Sequence, residues 1–389
     1  KAAEDVSDEG VVCFVLPHGT LFNHGSKAIQ FQRDWVTQHR VDRVFTLADL
    51  RLLLFEDAIH PALFVSYSQH PPSASHSIDY WCPEADWTVT QAEVLTVSTL
   101  DRGRVRQGDL VRNLDSEDAP QIWKRRFWGT ERDVRLTDRL ATMPRLRDSV
   151  RQIRERDTNK RWMVAEGFQP LGENDDVNSA VTLQLPSNRF IRATNRNIDL
   201  VVVEDDCEER DNLEVQVRSR SNKNTLVFAA PHVLVSHGFG RIAFPDFDVS
   251  FQHALRGISG PKEDSSLLAF LAGYLSSSVA RYFLFHTSSN WAIYRPKVHV
   301  EELLSVPFVL PDQHPDPERA KEIVETVARR MKTAKAVIKK DLLARKTEVD
   351  TAIAEIELLV REYFDVLPKE AVLIDDTMNT IVPSIQPSY

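Results

Sequence analysis

Arg218, Arg220, Asn222, Lys223 and Asn224 crowd into the stretch VRSRSNKN, and Arg241 stands just past the glycine pair Gly238-Phe239-Gly240. A second polar cluster holds Asn290, Trp291, Tyr294, Arg295 and Lys297. These residue types suit one chemistry. A guanidinium can pair bidentately with guanine, and a carboxamide with adenine, from the groove of a duplex. A lysine more often meets a phosphate, which positions a protein without specifying a sequence. Each of these side chains also has a plainer reading as part of a solvated turn, because a binding surface uses few of its polar groups for base or phosphate contacts. Arg125, Arg126 and Arg132 offer further phosphate contacts, whereas Trp123 and Trp128 beside them read as core.

No self-sufficient catalytic signature accompanies these clusters. The sequence contains no HExxH, no Walker phosphate loop and no CxxC. Cys13, Cys82 and Cys207 are scattered singly, which excludes a disulfide framework or a four-cysteine zinc site and fits structural thiols in a reducing compartment. His70-Pro71-Pro72-Ser73 has no side-chain amide to accept from an amine and no aromatic after its prolines, so it reads as a turn. Gly238-Phe239-Gly240 lacks the acidic strand that normally precedes a cofactor loop and also reads as a turn. Pro245-Asp246 with Glu214-Val215-Gln216 has the residue types of a metal nuclease, but the order is reversed and the lysine is missing.

Composition sets outer limits. The chain has 389 residues, 42% of them hydrophobic and 27% charged, which is enough apolar surface to offset the entropy of ordering and excludes a mainly disordered chain. That length suggests two or three domains. No apolar run reaches the ~18–20 residues of a membrane span. The opening KAAEDVSDEG is too acidic for a signal peptide. The expectation is a soluble, cytoplasmic protein with no membrane partner. The net charge is -9, yet Asp101–Arg161 holds 17 Lys/Arg against 11 Asp/Glu, and Glu318–Lys346 holds 10 against 4. Such segregation fits either a nucleic-acid surface on an acidic body or solvated helix faces.

The elements that must carry these side chains follow from periodicity. Lys1–Asp8 reads as the end of a helix closed by Gly10. Val11–Leu16 is a continuous apolar run, as expected of a strand buried on both faces of an α/β sheet. A helix over 26–39 follows, with Ile29, Trp35 and Val36 inward. Val41–Leu47 and Ala62–Tyr67 read as strands with no crossover helix between them, so an antiparallel pairing at the sheet edge is expected. One helix and three strands cannot cover both faces of such a sheet, which predicts further strands upstream. Residues 78–111 read as a strand-rich extension, and 123–156 as helical. Strand candidates over 200–204, 213–217, 225–228 and 233–235 precede a helix over 265–285. From 316 to 364 an apolar stripe recurs every three or four residues from Ile323 to Tyr363, as one helix or as two broken near Arg345. The stripe either packs on a neighbouring domain or dimerises.

Several segments, in order along the chain, resemble one family. GVVCFVLPHGTLFNHG (Gly10–Gly25), FQRDW (Phe31–Trp35), RVFTL (Arg43–Leu47) and LLFEDAIHPALFVSYS (Leu53–Ser68) are similar to the final strands of the catalytic domain in N6-adenine DNA methyltransferases of the HsdM-like and type IIG restriction–modification families. Ile122–Leu140 resembles the tryptophan-glycine-threonine segment after that domain. Leu271–Asp312 resembles the target-recognition domain, and Glu355–Pro387 the C-terminal end.

The resemblance implies a seven-stranded sheet whose last strand is antiparallel. It implies that Phe55, in the loop before that strand, stacks on a flipped-out adenine; the other reading of Phe55 is a core residue beside Leu53 and Leu54. It places the strand end Leu16-Pro17-His18-Gly19 at the carboxyl edge, where ligands of open α/β sheets bind. The family's S-adenosylmethionine loop and its Asn-Pro-Pro-aromatic loop would lie upstream of Lys1, so the cofactor is expected in the intact protein and not on this chain alone. No metal is expected. The expected architecture is α/β, a partial Rossmann-like methyltransferase sheet with its extension over 1–100. A helical connector over 101–165, an α+β target-recognition domain over 166–312 and a long-helix C-terminal region over 313–389 follow. The expected function is the C-terminal fragment of a site-specific adenine-N6 DNA methyltransferase of a restriction–modification or phage-defence system, with double-stranded DNA and restriction or defence subunits as partners. The alternatives are a non-catalytic DNA-binding, specificity or assembly module and, third, a nuclease.

Overall fold

The computed structural model describes residues 7, 9–54, 60–85, 87–116, 118, 120–156 and 162–385. The chain is mixed α/β and divides into two units, one made of 1–138, 285–296 and 379–389, the other of 139–284 and 297–378. Among the described residues no single helix is long and apolar enough to cross a membrane.

The first unit is built on a five-stranded mixed sheet in the order β1-β3-β2-β4-β5. The strands are β1 Val12–Pro17, β2 Arg40–Thr46, β3 Ala62–Ser68, β4 Ser77–Trp81 and β5 Arg102–Arg106. β3 runs antiparallel to both its neighbours, pairing Leu63 with Leu16 of β1 and Val65 with Val44 of β2. β4 lies parallel to β2, and β5 antiparallel to β4. β1, β2 and β4 therefore point the same way, with β3 inserted in reverse. Val41, Val44, Leu63, Val65, Ile78 and Val105 are buried, the apolar and mostly β-branched filling that a pleated core favours. Helix α1, Ser26–Gln38, buries Gln32, Trp35 and Val36 on one stripe, and Trp35 meets the Tyr67 ring of β3 edge-on at 5.5 Å.

Two expectations change here. The antiparallel pair of β2 and β3 forms, but β3 lies inside the sheet and not at its edge. The run from Val11 is not buried on both faces: Val11, Phe14 and Val15 are 55%, 42% and 63% exposed, and only Val12 of β1 is buried. β1 is the edge strand, and among the described residues no strand takes its other side. An apolar run reports the burial a strand is suited to, and the neighbours decide whether it is reached.

The helical stretch expected over 123–156 is three helices. They are α3 Gln121–Arg125 and α4 Glu131–Ala141, preceded by α2 Gln107–Leu114, and then α5 Leu146–Arg156. One break falls at Gly129, where a Cβ would stand 2.5 Å from the Arg125 carbonyl oxygen. The other falls at Pro144, which has no amide hydrogen to continue a helix.

Among the described residues the second unit holds three sheets. The largest, β6-β15-β12-β13-β9, joins β6 Met163–Glu166, β9 Leu200–Val201, β12 His232–Ser236, β13 Ile242–Phe244 and β15 Leu255–Ser259. A three-stranded sheet joins β8 Arg189–Ile191, β10 Glu208–Glu209 and β14 Ser250–Phe251, and a two-stranded one joins β7 Val181–Gln184 and β11 Glu214–Val217. Phe168, Phe190, Phe228, Phe251, Leu234 and Leu255 lie in a core of buried side chains. The strand expected over 225–228 is a 3-10 turn instead, because the Asn224 side-chain oxygen accepts the Leu226 N–H and starts a helical turn. The strand expected over 200–204 stops at Val201 and passes into a second such turn at Glu204–Asp206.

The helix expected over 265–285 is α6 Ser265–Ser276 and α7 Ser278–Thr287, bent by 62° at Ser277. The Glu357 carboxylate accepts the Ser278 N–H at 2.8 Å and holds the start of the second segment. The long stripe is likewise two helices, α8 Pro317–Lys340 and α9 Arg345–Tyr363, divided where Asp341 accepts the Leu343 N–H. Its residues pack inside the unit. Gly273 of α6 lies so close that a Cβ there would meet Ile356 at 2.9 Å and Val327 at 3.1 Å. Helix α10, Pro368–Asp376, is tied back by a double hydrogen bond from Arg139 to the Glu370 carboxylate at 2.9 and 2.6 Å.

Candidate functional site

The carboxyl ends of β1 and β2 gather the ionisable groups of the first unit. His18 follows β1 directly, donates its backbone N–H to the Pro61 carbonyl at 3.0 Å and stacks on Phe22 at 4.2 Å. Burial first, then the nearby Lys124 and Arg51 cations, push its imidazole down to about 3, so it is neutral near pH 7. Its Nε2 has no hydrogen-bond partner among the described residues. Arg51 sits one turn past β2 and donates to the Ala48 carbonyl at 2.8 Å. Beside it the Asp49 carboxylate accepts the Ala85 N–H at 2.7 Å; burial raises this carboxyl, and that hydrogen bond and Arg51 work against the rise. Lys124 of α3 is 1% exposed, donates to the Trp291 carbonyl at 2.5 Å and lies over the Phe285 ring.

Asn290, Trp291, Tyr294 and Arg295, singled out in the sequence, join this unit. Trp291 is buried, and its carbonyl is the one Lys124 uses. Asn290 accepts the backbone N–H groups of Ile293 and Tyr294 and so shapes a tight turn, in which Ala292 holds a left-handed φ of 62°. The Tyr294 hydroxyl meets His60 Nε2 at 3.2 Å and accepts from Arg295 at 2.9 Å. Phe55 lies outside the described residues. His286 and Asp133 form a second buried pair at 3.8 Å, with burial pushing the imidazole down to about 4 against the pull of Asp133. Arg125 points inward as well, to Asp138 at 2.5 Å and Gln121 at 3.0 Å.

Arg218, Arg220, Asn222, Lys223, Asn224, Arg241 and Lys297 lie in the second unit. Arg218 is bound to Asp175 at 2.6 Å, and the same carboxylate oxygen accepts the Gly172 N–H. Asn222 donates to the Glu166 carbonyl at 2.9 Å and accepts the Asn224 N–H, while Asn224 caps the following turn. These two amides hold a loop in shape. Arg241 donates to the Ala193 carbonyl. Arg220 and Lys223 are the exposed cations of the stretch. Lys297 lies in the field of Glu166, whose carboxylate is 3.2 Å from His237 and 3.8 Å from the buried Arg256. The His237 hydrogen bond is the first cause of the lowered Glu166 carboxyl.

No family model matches the chain, and no curated protein matches it. Among solved structures the chain is similar to the type IIG restriction endonuclease BpuSI. The identity is 11% and the TM-score 0.32, over 92% of this chain and 48% of that one. The chain thus spans about half the length of that structure. A likeness at that level fixes neither fold nor activity.

His18 was visible in the sequence as the residue closing a strand. Asp49, Arg51 and Lys124 carried no local signal, and neither did the set Glu166, His237, His253 and Arg256, because each set is assembled from separated segments. Gly238-Phe239-Gly240 sits in the hairpin turn between antiparallel β12 and β13, where its amides close the turn and Phe239 takes a φ of 54°. Among the described residues no group of three His, Cys, Asp or Glu side chains is placed to hold a metal. Asp246, one of the nuclease-like residues, is ion-paired with Lys335.

Proposed function

We propose that the chain is the C-terminal portion of an adenine-N6 DNA methyltransferase of a restriction–modification or phage-defence system, contributing target-DNA recognition. The observation that carries this reading is the order β1-β3-β2, two parallel strands with the last one reversed between them. The resemblance implies a reversed last strand, and β3 runs antiparallel to both its neighbours. The apolar, one-sided edge at β1 supports it, since an exposed apolar edge strand is a template for pairing. In this reading S-adenosylmethionine is held by residues outside this chain, together with the Asn-Pro-Pro-aromatic loop that would receive the target amine.

Within this reading Phe55 stacks on the flipped adenine, restoring ~1–3 kcal/mol of the stacking lost from the duplex. The neutral His18 and the Arg51 and Lys124 cations line the carboxyl edge, where open α/β sheets take ligands. Arg220, Lys223 and Lys297 are phosphate contacts in the second unit, and Arg218, Arg241 and the asparagines shape the loop that carries them. Restriction or defence subunits are the proposed protein partners. The test is methyl transfer from S-adenosylmethionine to duplex DNA by the full-length gene product, with nucleoside analysis of the product. N6-methyladenine is expected. A different methylated base refutes the reading, and duplex binding without methyl transfer favours a recognition or assembly module.

A further inference from the structure

Arg256 of β15 is fully buried, yet none of its three guanidinium nitrogens makes a hydrogen bond among the described residues. A guanidinium taken out of water is costly unless acceptors replace the water it loses. Burial accordingly lowers its pKa, against the nearby carboxylates of Glu166, Glu301 and Glu302. Of these, Glu302 already accepts the His299 N–H at 2.7 Å. Only Glu166 comes into ion-pair range, at 3.8 Å from Nε, and the same carboxylate oxygen is 3.2 Å from His237 Nε2. Lys297 acts on that carboxylate too, and the His253 ring lies 6.3 Å from the His237 ring.

The cluster is therefore a cationic seat in which Glu166 is the acid in ion-pair range among the described residues, with Glu301 and Glu302 acting from further off. The seat is fixed by the backbone: Arg256 pairs across the sheet with both Glu166 and Val235, and His237 donates to the Ala254 carbonyl and accepts the Val298 N–H. Glu166 ends its strand, and its side chain is 42% exposed, whereas that of Arg256 is 0% exposed. The acid can swing into water, and the guanidinium cannot. A guanidinium fork with an imidazole and an ammonium at its rim matches a tetrahedral oxyanion better than it matches one carboxylate oxygen.

We propose that Arg256, His237 and Lys297 form a seat for a phosphate group, filled by the Glu166 carboxylate until an outside phosphate displaces it. The phosphate belongs either to the backbone of a duplex or to a free phosphate ion. The proposal deepens the duplex-binding reading and rests on it only for the first of these sources.

The test uses the 389-residue chain with Glu166→Gln and His237→Ala, since Arg256 variants endanger the fold. Thermal melting first confirms that both variants fold as the parent does. Two probes are titrated separately: a short duplex, by fluorescence anisotropy, and inorganic phosphate, by calorimetry. Removing the competing acid should tighten binding about tenfold, and removing the imidazole should weaken it by a similar factor. Both effects on the duplex assign the seat to the DNA backbone. Both effects on inorganic phosphate, with duplex affinity unmoved or absent, keep the seat, assign it to a free ion and count against the duplex reading. Unchanged or weakened affinity of Glu166→Gln for both probes overturns the seat, whatever the parent's affinity for duplex.

Discussion

The two polar regions of this protein use their charges in opposite ways. At the carboxyl edge of the first unit, His18, Asp49, Arg51 and Lys124 are all less than 10% exposed and are held by backbone carbonyls, amides and aromatic rings. In the second unit the polar stretch from Arg218 to Asn224 lies near the surface, with two asparagines bracing the loop and Arg220 and Lys223 facing solvent. The first arrangement fixes groups in place at the cost of desolvation, which suits a site that acts on one held group. The second leaves cations hydrated and adaptable, which suits a surface that follows a phosphate backbone. Charge alone does not separate the two roles; burial does.

The contrast breaks most sharply under acid. The imidazoles of His18 and His286 sit at about 3 and about 4 in the folded chain, against an ordinary 6.5. The unfolded chain therefore binds protons that the folded chain refuses. Their contribution to stability is fully present above about pH 6.5 and is lost as the pH falls, down to about 4 for His286 and about 3 for His18, by a few kcal/mol in total. The melting midpoint should drop steeply over that window, and His18→Gln should flatten part of the drop. A pH-independent midpoint would show that these two imidazoles are not desolvated.

Lys124→Ala comes next. It removes a buried ammonium and its hydrogen bond to the Trp291 carbonyl, so a loss of about 3 kcal/mol is expected in chemical denaturation. Arg218→Ala, which breaks a half-exposed pair, should leave stability nearly unchanged. Equal losses would erase the distinction between the regions.

In the full-length protein, Phe55→Ala should weaken base flipping by about 1–3 kcal/mol while duplex binding is retained. 2-Aminopurine fluorescence at the target position reads the first effect and anisotropy the second. The smallest expected effect is at the surface. Arg220→Ala and Lys223→Ala should each weaken duplex binding evenly across sequences and lower the salt slope by about 1. A flat salt response of the unmodified chain would contradict phosphate contacts altogether.

Much of the first unit was legible because its signals are local. The antiparallel relation of β2 and β3 follows from a connection too short for a crossover helix, and the inward Trp35 and Val36 follow from helical spacing. The exposure of Phe14 and Val15 was not legible, since an apolar run looks the same whether or not a neighbour covers it. Helix breaks were missed at Gly129 and Ser277, where a close backbone approach and a distant carboxylate set the geometry. The break in the C-terminal stripe was one of two readings, and Asp341 decides it by capping the turn. The seat of Glu166, His237 and Arg256 was invisible because strand register, not spacing along the chain, brings it together.

The proposed function requires that β1 pair on its open side with a further strand in the full-length protein. Amide hydrogen exchange along Val12–Pro17, measured in this chain and in the full-length product, tests it most directly. Amides bonded to β3 should be protected in both, whereas those on the open side should exchange fast here and slowly in the longer protein. Fast exchange on that side in both proteins would contradict the account.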